Sequence, residues 1–496
     1  MNIAAELWRQ AASGPDRIAF RSPREITFGE LQQTTREVAG AVREAGIAPL
    51  DRVLLIAPSV PEFPEVYYGL HVLGATVITM NTMSTADEIG YVLDDSGASL
   101  VIAWHECATN ATVAAGDRGL PVWVLEREGA FRGEPVETVH EHDPDDTSVI
   151  LYTSGTTGRP KGAELTAENL VATTQVFVPV LDLTEEDRFG TALPLFHVYG
   201  QCVCMNTAMA NGASFSLLSP FDPDALLRLV RTDQLTILAG VPTMWNAMLH
   251  AGADVDAAEI ASLRLATSGG ASLPVEVIRA FEQRFDCTIL EGYGLTESTG
   301  AATFNDVHRD QRPGTVGPAL PRMEIEVRDP EGTALAPGET GEVFLRGPVI
   351  MKGYWNRPDA TAAELADGWF KTGDIGVLDA DGYLSIVDRV KDLIIRGGYN
   401  VYPREVEEVL WEHPDIVEVA VIGVPDAHYG EEIAAVVVLS PGSDADGESI
   451  RAWAKERLSA YKVPRLFSFV DALPKGATGK ILKRAIDRDA LSGARA

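Results

Sequence analysis

The sequence predicts an α/β protein: a large N-terminal domain of βα-layered subdomains that ends in a small β-barrel-like unit, then a small α+β C-terminal domain. Three observations carry this. Strand-like and helix-like segments alternate from the N-terminus to about residue 300, as βα units on a largely parallel sheet do. From about 314 to 388 strands shorten and turns crowd, as in Asp329-Pro330-Glu331-Gly332, Pro337-Gly338 and Asp379-Ala380-Asp381-Gly382, the texture of an antiparallel β unit. The charge then changes at Arg389. The chain has 41 basic and 72 acidic residues, net −31, yet from Arg389 onward 15 basic face 17 acidic residues, and the part before it carries net −29. Between Ile450 and Arg488, 10 basic residues face 3 acidic ones. Such a shift marks a separate domain. The expected division is 1–388, with βα subdomains to about 313 and the β-rich unit over about 314–388, followed by 389–496.

Individual elements follow from local pattern. Thr27-Phe28-Gly29-Glu30 is a capping box, in which the two polar side chains satisfy free N–H groups of a starting helix, and Leu31, Val38 and Val42 share one face behind it. Arg52–Ala57 and Val77–Met80 are apolar runs of strand length, separated by the helical stretch Val66–Leu73. Ser148–Tyr152 and Leu235–Leu238 continue the series. Near the end a helix is expected over about 403–412, strands over Val417–Val424 and Ile433–Leu439, a helix over about 448–459, and a helical stretch over Ile481–Ile486. The join at Asp388–Asp392 is short, so motion between the domains falls on a few residues.

Composition excludes several classes. With 46% hydrophobic residues in 496, the chain can bury several cores and is not disordered. A net charge of −31 argues against nucleic acid, whose phosphates need clustered Lys and Arg, and against anionic lipid. The start MNIAAELWRQ lacks the basic and apolar regions of a signal peptide, and no run reaches ~18 uninterrupted apolar residues, so no membrane insertion is expected. Cys107, Cys202, Cys204 and Cys287 are too few for a disulfide framework and read as small core residues in a reducing cytoplasm.

The strongest chemical signal is Tyr152–Gly162. Thr153, Ser154, Thr156 and Thr157 supply hydroxyls, Gly155 and Gly158 allow close backbone approach, and Lys161 adds positive charge. A loop of this kind after an apolar strand makes a nest of N–H groups for an anion. Gly155, Gly158 and Lys161 are three apart, which does not fit a Walker A loop. Gly292–Ser298 offers Tyr293, Thr296 and a lone carboxylate, Glu297. A carboxylate beside a polyphosphate repels it unless a cation lies between, so Glu297 reads as a Mg²⁺ ligand. In Gly368–Asp374 the carboxylate of Asp374 can accept two hydrogen bonds from a diol. Ser268-Gly269-Gly270-Ala271 closes a strand, and Pro194–Gly200 sets His197 among apolar and aromatic neighbours.

In this order, and over nearly the whole chain, these segments resemble the adenylate-forming superfamily of acyl-CoA synthetases, adenylation domains and beetle luciferase. The resemblance implies a phosphate loop at Thr153–Gly158 with Lys161, an adenine edge at Gly269, Gly270 and Ala271, and Tyr293 stacked near the base. It puts Thr296 on phosphate, Glu297 on Mg²⁺, Asp374 on ribose and Arg389 on the nucleotide. His197 falls at the gate of the acyl pocket. Lys391 falls at the hinge of a mobile C-terminal domain, and Gly397 and Gly398 on a loop that swings against the large domain in a second half-reaction. Lys480, in Pro474–Lys480, matches the adenylation lysine, which offsets charge on the carboxylate and phosphorus.

The implied reaction is ATP-dependent ligation of a carboxylic acid to coenzyme A through acyl-AMP, with Mg²⁺. Between Arg188 and Arg228 there is no Lys or Arg, so the acid is expected to be an apolar monocarboxylate, a medium- or long-chain fatty acid. Arg309 and Arg312 keep malonate open, and an aryl acid also fits. Phe196-His197-Val198-Tyr199 stands where amino-acid-activating relatives carry Phe-Asp-x-Ser, which disfavours an amino acid. A ligase loading a carrier protein, a luciferase-like oxygenase and a non-catalytic nucleotide-binding relative are the rival readings. A homodimer, and an acetyltransferase with a deacylase acting on Lys480, complete the expected partners.

Overall fold

Two wide sheets organise the first three hundred residues. The structure, a computed structural model, describes residues 1–127, 129–153, 159–251, 255, 257–426, 428–476, 479–488 and 491. One sheet has seven strands in the spatial order Gly353–Tyr354, Lys161–Thr166, Thr147–Thr153, Thr76–Thr79, Arg52–Ile56, Leu100–Trp104 and Val122–Leu125. Its pairings are parallel except where Thr147–Thr153 folds back into Lys161–Thr166 and where Gly353–Tyr354 joins the edge. The other has eight strands: Thr303–Phe304, Thr288–Tyr293, Leu265–Ser268, Ile237–Gly240, Arg188–Thr191, Ser214–Leu217, Ile18–Phe20 and Ile26–Thr27. It is parallel except at its two edge pairings. Central strands such as Arg52–Ile56 and Leu100–Trp104 are apolar almost throughout because helices or the other sheet cover both their faces.

The predicted capping box opens the helix Phe28–Glu44, with Thr27 accepting from the Glu30 N–H and Glu30 reaching back. The same pattern at Thr85 and Glu88 opens Ala86–Ser96. The apolar stretch read over Val66–Leu73 is part of the helix Glu62–Leu73, every residue of which is buried. One apolar cluster runs from Ile3 to Leu384 and takes in both sheets, and a second packs the outer face of the seven-stranded sheet against the helices Ala86–Ser96 and Ala108–Gly116. All four cysteines are free thiols, and three of them are buried. Among the described residues no helix is long and apolar enough to cross a membrane.

The β-rich unit is a five-stranded antiparallel sheet of Glu324–Arg328, Thr340–Arg346 and Trp369–Leu378, with Leu365–Ala366 and Leu384–Arg389 both paired to Trp369–Leu378. Beyond it, Tyr399–Val401, Ile394–Arg396, Gly430–Leu439, Ile416–Asp426 and Leu466–Phe469 form a separate sheet packed with the helices Pro403–Trp411 and Gly447–Lys455. This part has its own two apolar clusters.

One helix expected from the sequence is not there. Ile481–Ile486 contains only a single 3₁₀ turn, Lys483–Ala485. The preceding segment folds back on itself: Leu482 N–H donates to Pro474 O and Gly476 N–H to Lys480 O. Of those groups, a helix starting at Ile481 would need the Lys480 carbonyl as its first acceptor, and the fold-back engages that carbonyl instead.

Candidate active site

A cavity of about 1000 Å³ opens at the carboxyl ends of the parallel strands of the eight-stranded sheet, the place where ligands bind in open α/β sheets. Four of the parallel strands deliver residues there. Leu193 and His197 follow Arg188–Thr191, Val241 follows Ile237–Gly240, Gly269 to Ala271 follow Leu265–Ser268, and Tyr293 ends Thr288–Tyr293. The seven-stranded sheet contributes Thr153 and Lys161, the β-rich unit Asp374 and Arg389, and the small domain Lys480.

Most residues singled out from the sequence therefore share this cavity: Thr153, Lys161, His197, Gly269, Gly270, Ala271, Tyr293, Thr296, Glu297, Asp374, Arg389, Lys391 and Lys480. Ser154, Gly155, Thr156, Thr157 and Gly158 lie outside the described residues. Gly398 is separated from the group. It sits at the exposed tip of the hairpin Ile394–Arg396/Tyr399–Val401, with φ of 85° and nothing within 4 Å of the position a Cβ would take. Glycine is required there by the left-handed turn.

Asp374 is 2% exposed, and its two oxygens have different partners. The Arg389 Nε lies 3.0 Å from Oδ1, and the Tyr293 hydroxyl donates to Oδ2. The pairing of Asp374 with Arg389 across adjacent strands sets this geometry. Glu297, on the 3₁₀ turn Thr296–Ser298, accepts at Oε1 from Thr153 Oγ1 at 3.2 Å, and the Tyr354 hydroxyl oxygen lies 3.0 Å from the same oxygen. Among the described residues no cluster of three or more acidic, His or Cys side chains could hold a metal by itself. A single carboxylate ringed by hydroxyls fits Mg²⁺ that arrives with a polyphosphate, since this ion keeps most of its shell as water and phosphate oxygen.

His197 is held by the loop before the π-helix Tyr199–Asn206, and its Nδ1 accepts the Tyr199 N–H at 3.3 Å. That bond leaves the proton of the neutral ring on Nε2. Burial, with a smaller contribution from the Lys480 ammonium, lowers the His197 pKa to about 4, so the ring is uncharged at neutral pH. The Tyr199 hydroxyl donates to Thr267 O at 3.0 Å, which fixes its ring beside Gly269. Phe177 and Phe304 meet edge to face at 5.3 Å, and with Val198 and Val203 they make one apolar wall of the cavity. Sequence reasoning missed Phe177, Phe304 and Tyr354, because ordinary core aromatics give no local signal.

Lys480 keeps accessible surface inside the cavity, while the protein enclosing it, then the charges of Arg389 and Lys391, lower its pKa to about 8. Gly479 brings it there. A Cβ on Gly479 would stand 2.6 Å from Thr243 Oγ1, so only glycine allows this approach of the small domain to the large one. A pH prediction follows. If the Lys480 charge drives acyl-adenylate formation, that half-reaction falls as pH rises through about 8. Pyrophosphate exchange measured from pH 6 to 10 checks this, with Lys480→Arg expected to flatten the fall because guanidinium stays protonated.

Arg309 and Arg312, the candidates for holding a second carboxylate, do not reach the cavity. Arg312 bonds Asp379 and Asp381, both at 2.5 Å, and stacks on Tyr383, while Arg309 is exposed. The cations that do line the cavity come from position 161 and from position 371 onward.

The profile of the AMP-binding enzyme family matches residues 7–355, and that of the AMP-binding enzyme C-terminal domain matches residues 405–480. The chain belongs to the AMP-binding enzyme family. A feruloyl-CoA synthase of Amycolatopsis sp is 38% identical over 483 residues, 97% of each chain. A long-chain-fatty-acid–CoA ligase of Bacillus subtilis (strain 168) is 35% identical over 517 residues, covering 96% of this chain and 92% of the other. The crystal structure of ATP-bound MatB from Rhodopseudomonas palustris superposes with a TM-score of 0.92 at 33% identity, over 99% of each chain. This AMP-binding enzyme is an ATP-dependent CoA ligase, with ATP and CoA as cosubstrates and Mg²⁺ as its cation.

Proposed function

We propose that this AMP-binding enzyme activates an apolar monocarboxylic acid, foremost a medium- or long-chain fatty acid, and transfers it to CoA. The observation that carries the reading is the charge of the cavity lining. The stretch from position 162 to 370 lends the cavity Phe177, Leu193, Val198, Val203 and Phe304 but no Lys or Arg. A second carboxylate there would be desolvated without a counter-charge, which costs several kcal/mol and disfavours malonate. An aryl acid is the second reading, favoured by the aromatic faces of Phe177, Tyr199 and Phe304 and by the feruloyl-CoA synthase relative.

The residues divide the work by position. Asp374 would take the ribose hydroxyls, with Tyr293 near the base and Arg389 turning its guanidinium to the nucleotide. Lys161 would hold the outer phosphates. The Nε2–H of His197 would orient the acid's carboxylate. Lys480 would offset the charge that gathers as a carboxylate oxygen attacks the α-phosphorus and pyrophosphate leaves. Mg²⁺, when bound with ATP, would be held by Glu297 and would neutralise phosphate charge. For thioester formation the small domain turns about Lys391, withdrawing Lys480 and bringing in Gly398. The CoA thiolate then attacks the acyl carbonyl and AMP departs. Acetylation of Lys480 would remove its charge and is a natural point of control. The free cysteines agree with work in the cytoplasm.

A pyrophosphate-release panel of C2 to C18 acids, malonate, benzoates and ferulate tests the substrate reading. Saturable turnover is expected with C8–C16 acids, and at least about 100-fold lower kcat/KM with malonate, the scale of an unpaired buried charge. Malonate as the best acid would sink the proposal, while ferulate as the best would decide for the second reading.

A further inference from the structure

Lys161 is not a bare ammonium at the phosphate end of the cavity. Its Nζ donates to Glu364 Oε1 at 2.8 Å and lies 3.9 Å from the centroid of the Tyr354 ring. The Tyr354 hydroxyl is within donating distance of two carboxylates, Glu364 Oε2 at 2.5 Å and Glu297 Oε1 at 3.0 Å. A continuous chain of contacts thus runs from the lysine to the carboxylate assigned to Mg²⁺, along the wall of the cavity. Backbone holds it in place. Tyr354 pairs with Ala163, Trp355 N–H donates to Gly162 O at 2.8 Å, and the Tyr354 N–H donates to Thr361 Oγ1 at 2.9 Å. Thr361 belongs to the helix Pro358–Glu364, which ends in Glu364 itself.

Local rules do not account for an acid at that place. The last turn of a helix carries the negative end of its dipole, where a carboxylate is disfavoured, and this turn has no basic residue. Among the described residues Lys161 is the cation that pairs with Glu364. The two are separated by 203 positions in sequence, so the pairing is a property of the site and not of the helix.

We propose that Glu364 is a positioning residue that stands in for the outer phosphates of ATP. It holds Lys161 in the nucleotide-free enzyme, yields it when ATP binds, and reclaims it as pyrophosphate leaves. One ammonium is thereby shared between a fixed carboxylate and a mobile polyphosphate. ATP affinity is lowered by the competition, and pyrophosphate departs more easily for the same reason. When Lys161 turns to phosphate, Glu364 keeps the Tyr354 hydroxyl as donor, so its charge is not left without a partner.

The proposal rests on the assignment of Lys161 to the outer phosphates, and AMP, which lacks them, separates the two. The test is equilibrium binding of ATP and of AMP by calorimetry, with Mg²⁺ present and no acid, on the full chain, Glu364→Gln, Glu364→Ala, Lys161→Ala and the double variant Lys161→Ala/Glu364→Gln. Both Glu364 variants are expected to bind ATP about fivefold tighter, the upper range for a partly exposed pair, and AMP within twofold of the parent. Pyrophosphate should inhibit them at correspondingly lower concentrations. With Lys161 removed, the change at Glu364 should no longer tighten ATP. Unchanged or weaker ATP binding in both Glu364 variants overturns the proposal, as does equal tightening of AMP. If Lys161→Ala weakens ATP and AMP alike, the assignment of Lys161 fails and the proposal fails with it.

Discussion

Lys480→Ala is expected to reduce ATP–pyrophosphate exchange by at least about 10²–10³-fold, the usual loss when one charged donor is taken from a developing anion. Thioester formation from supplied acyl-AMP should fall by less than about threefold. Lys480 stands in the cavity with Asp374 and Arg389 as charged neighbours, and with His197 close enough to feel its charge. In the proposed reaction it serves the step in which two anions, carboxylate and α-phosphate, are brought together. Once the mixed anhydride exists, the carboxylate's charge is gone and the phosphate keeps a single negative charge, so the need for the ammonium falls. Equal loss of both half-reactions would mean that Lys480 supports the fold of the site and not its chemistry.

Lys391→Pro should divide the half-reactions the other way. Lys391 lies in the turn closed by Asp392 N–H donating to Arg389 O at 3.0 Å, and among the described residues its own N–H has no backbone acceptor. Proline therefore removes no hydrogen bond here, but it fixes one torsion and restricts Val390 before it. The orientation with Lys480 in the cavity should survive with about a tenfold loss, since proline is a poor third residue of a turn. An alternative orientation has to be reached by rotating the very torsions that proline restrains, and thioester formation should fall by about 100-fold. The measurement is single-turnover chemistry, following acyl-AMP and acyl-CoA separately. Parent-like CoA turnover in this variant would remove Lys391 from the hinge.

What the sequence disclosed and what it hid follow a physical line. Residues singled out from consecutive stretches, Tyr293, Thr296, Glu297, Asp374 and Lys480, do line one cavity. Elements set by local capping, such as Phe28–Glu44, were legible as well. Hidden features are those made by distant partners. Lys161–Thr166 becomes a strand because it is paired on both sides, by Thr147–Thr153 and by Gly353–Tyr354. Glu364 meets Lys161 only through that edge pairing. Ile481–Ile486 reads as helical because the hairpin that holds it, Leu482 N–H to Pro474 O and Gly476 N–H to Lys480 O, is invisible in its own composition. The apolar wall of Phe177 and Phe304 was likewise indistinguishable from core until the cavity bordered it.

The separation of apolar clusters has an energetic meaning for a working cycle. Buried cluster residues of the large body end at Leu384, and those of the small domain begin at Ile394. Across the seam lie polar links such as Arg404 N–H to Asp388 Oδ2 at 3.0 Å and the guanidinium of Arg404 to the carbonyl of Ile386. Water can replace links of this kind at a net cost of about 1 kcal/mol each, whereas opening a shared hydrophobic core would cost about 25 cal/mol for every Å² exposed. The orientation seen and the one proposed for thioester formation can then lie within a few kcal/mol of one another, so the occupant of the cavity, by its differential contacts, can decide which one prevails. A seam that no buried apolar cluster of the described residues spans makes the enzyme a balance that its own reactants can tip.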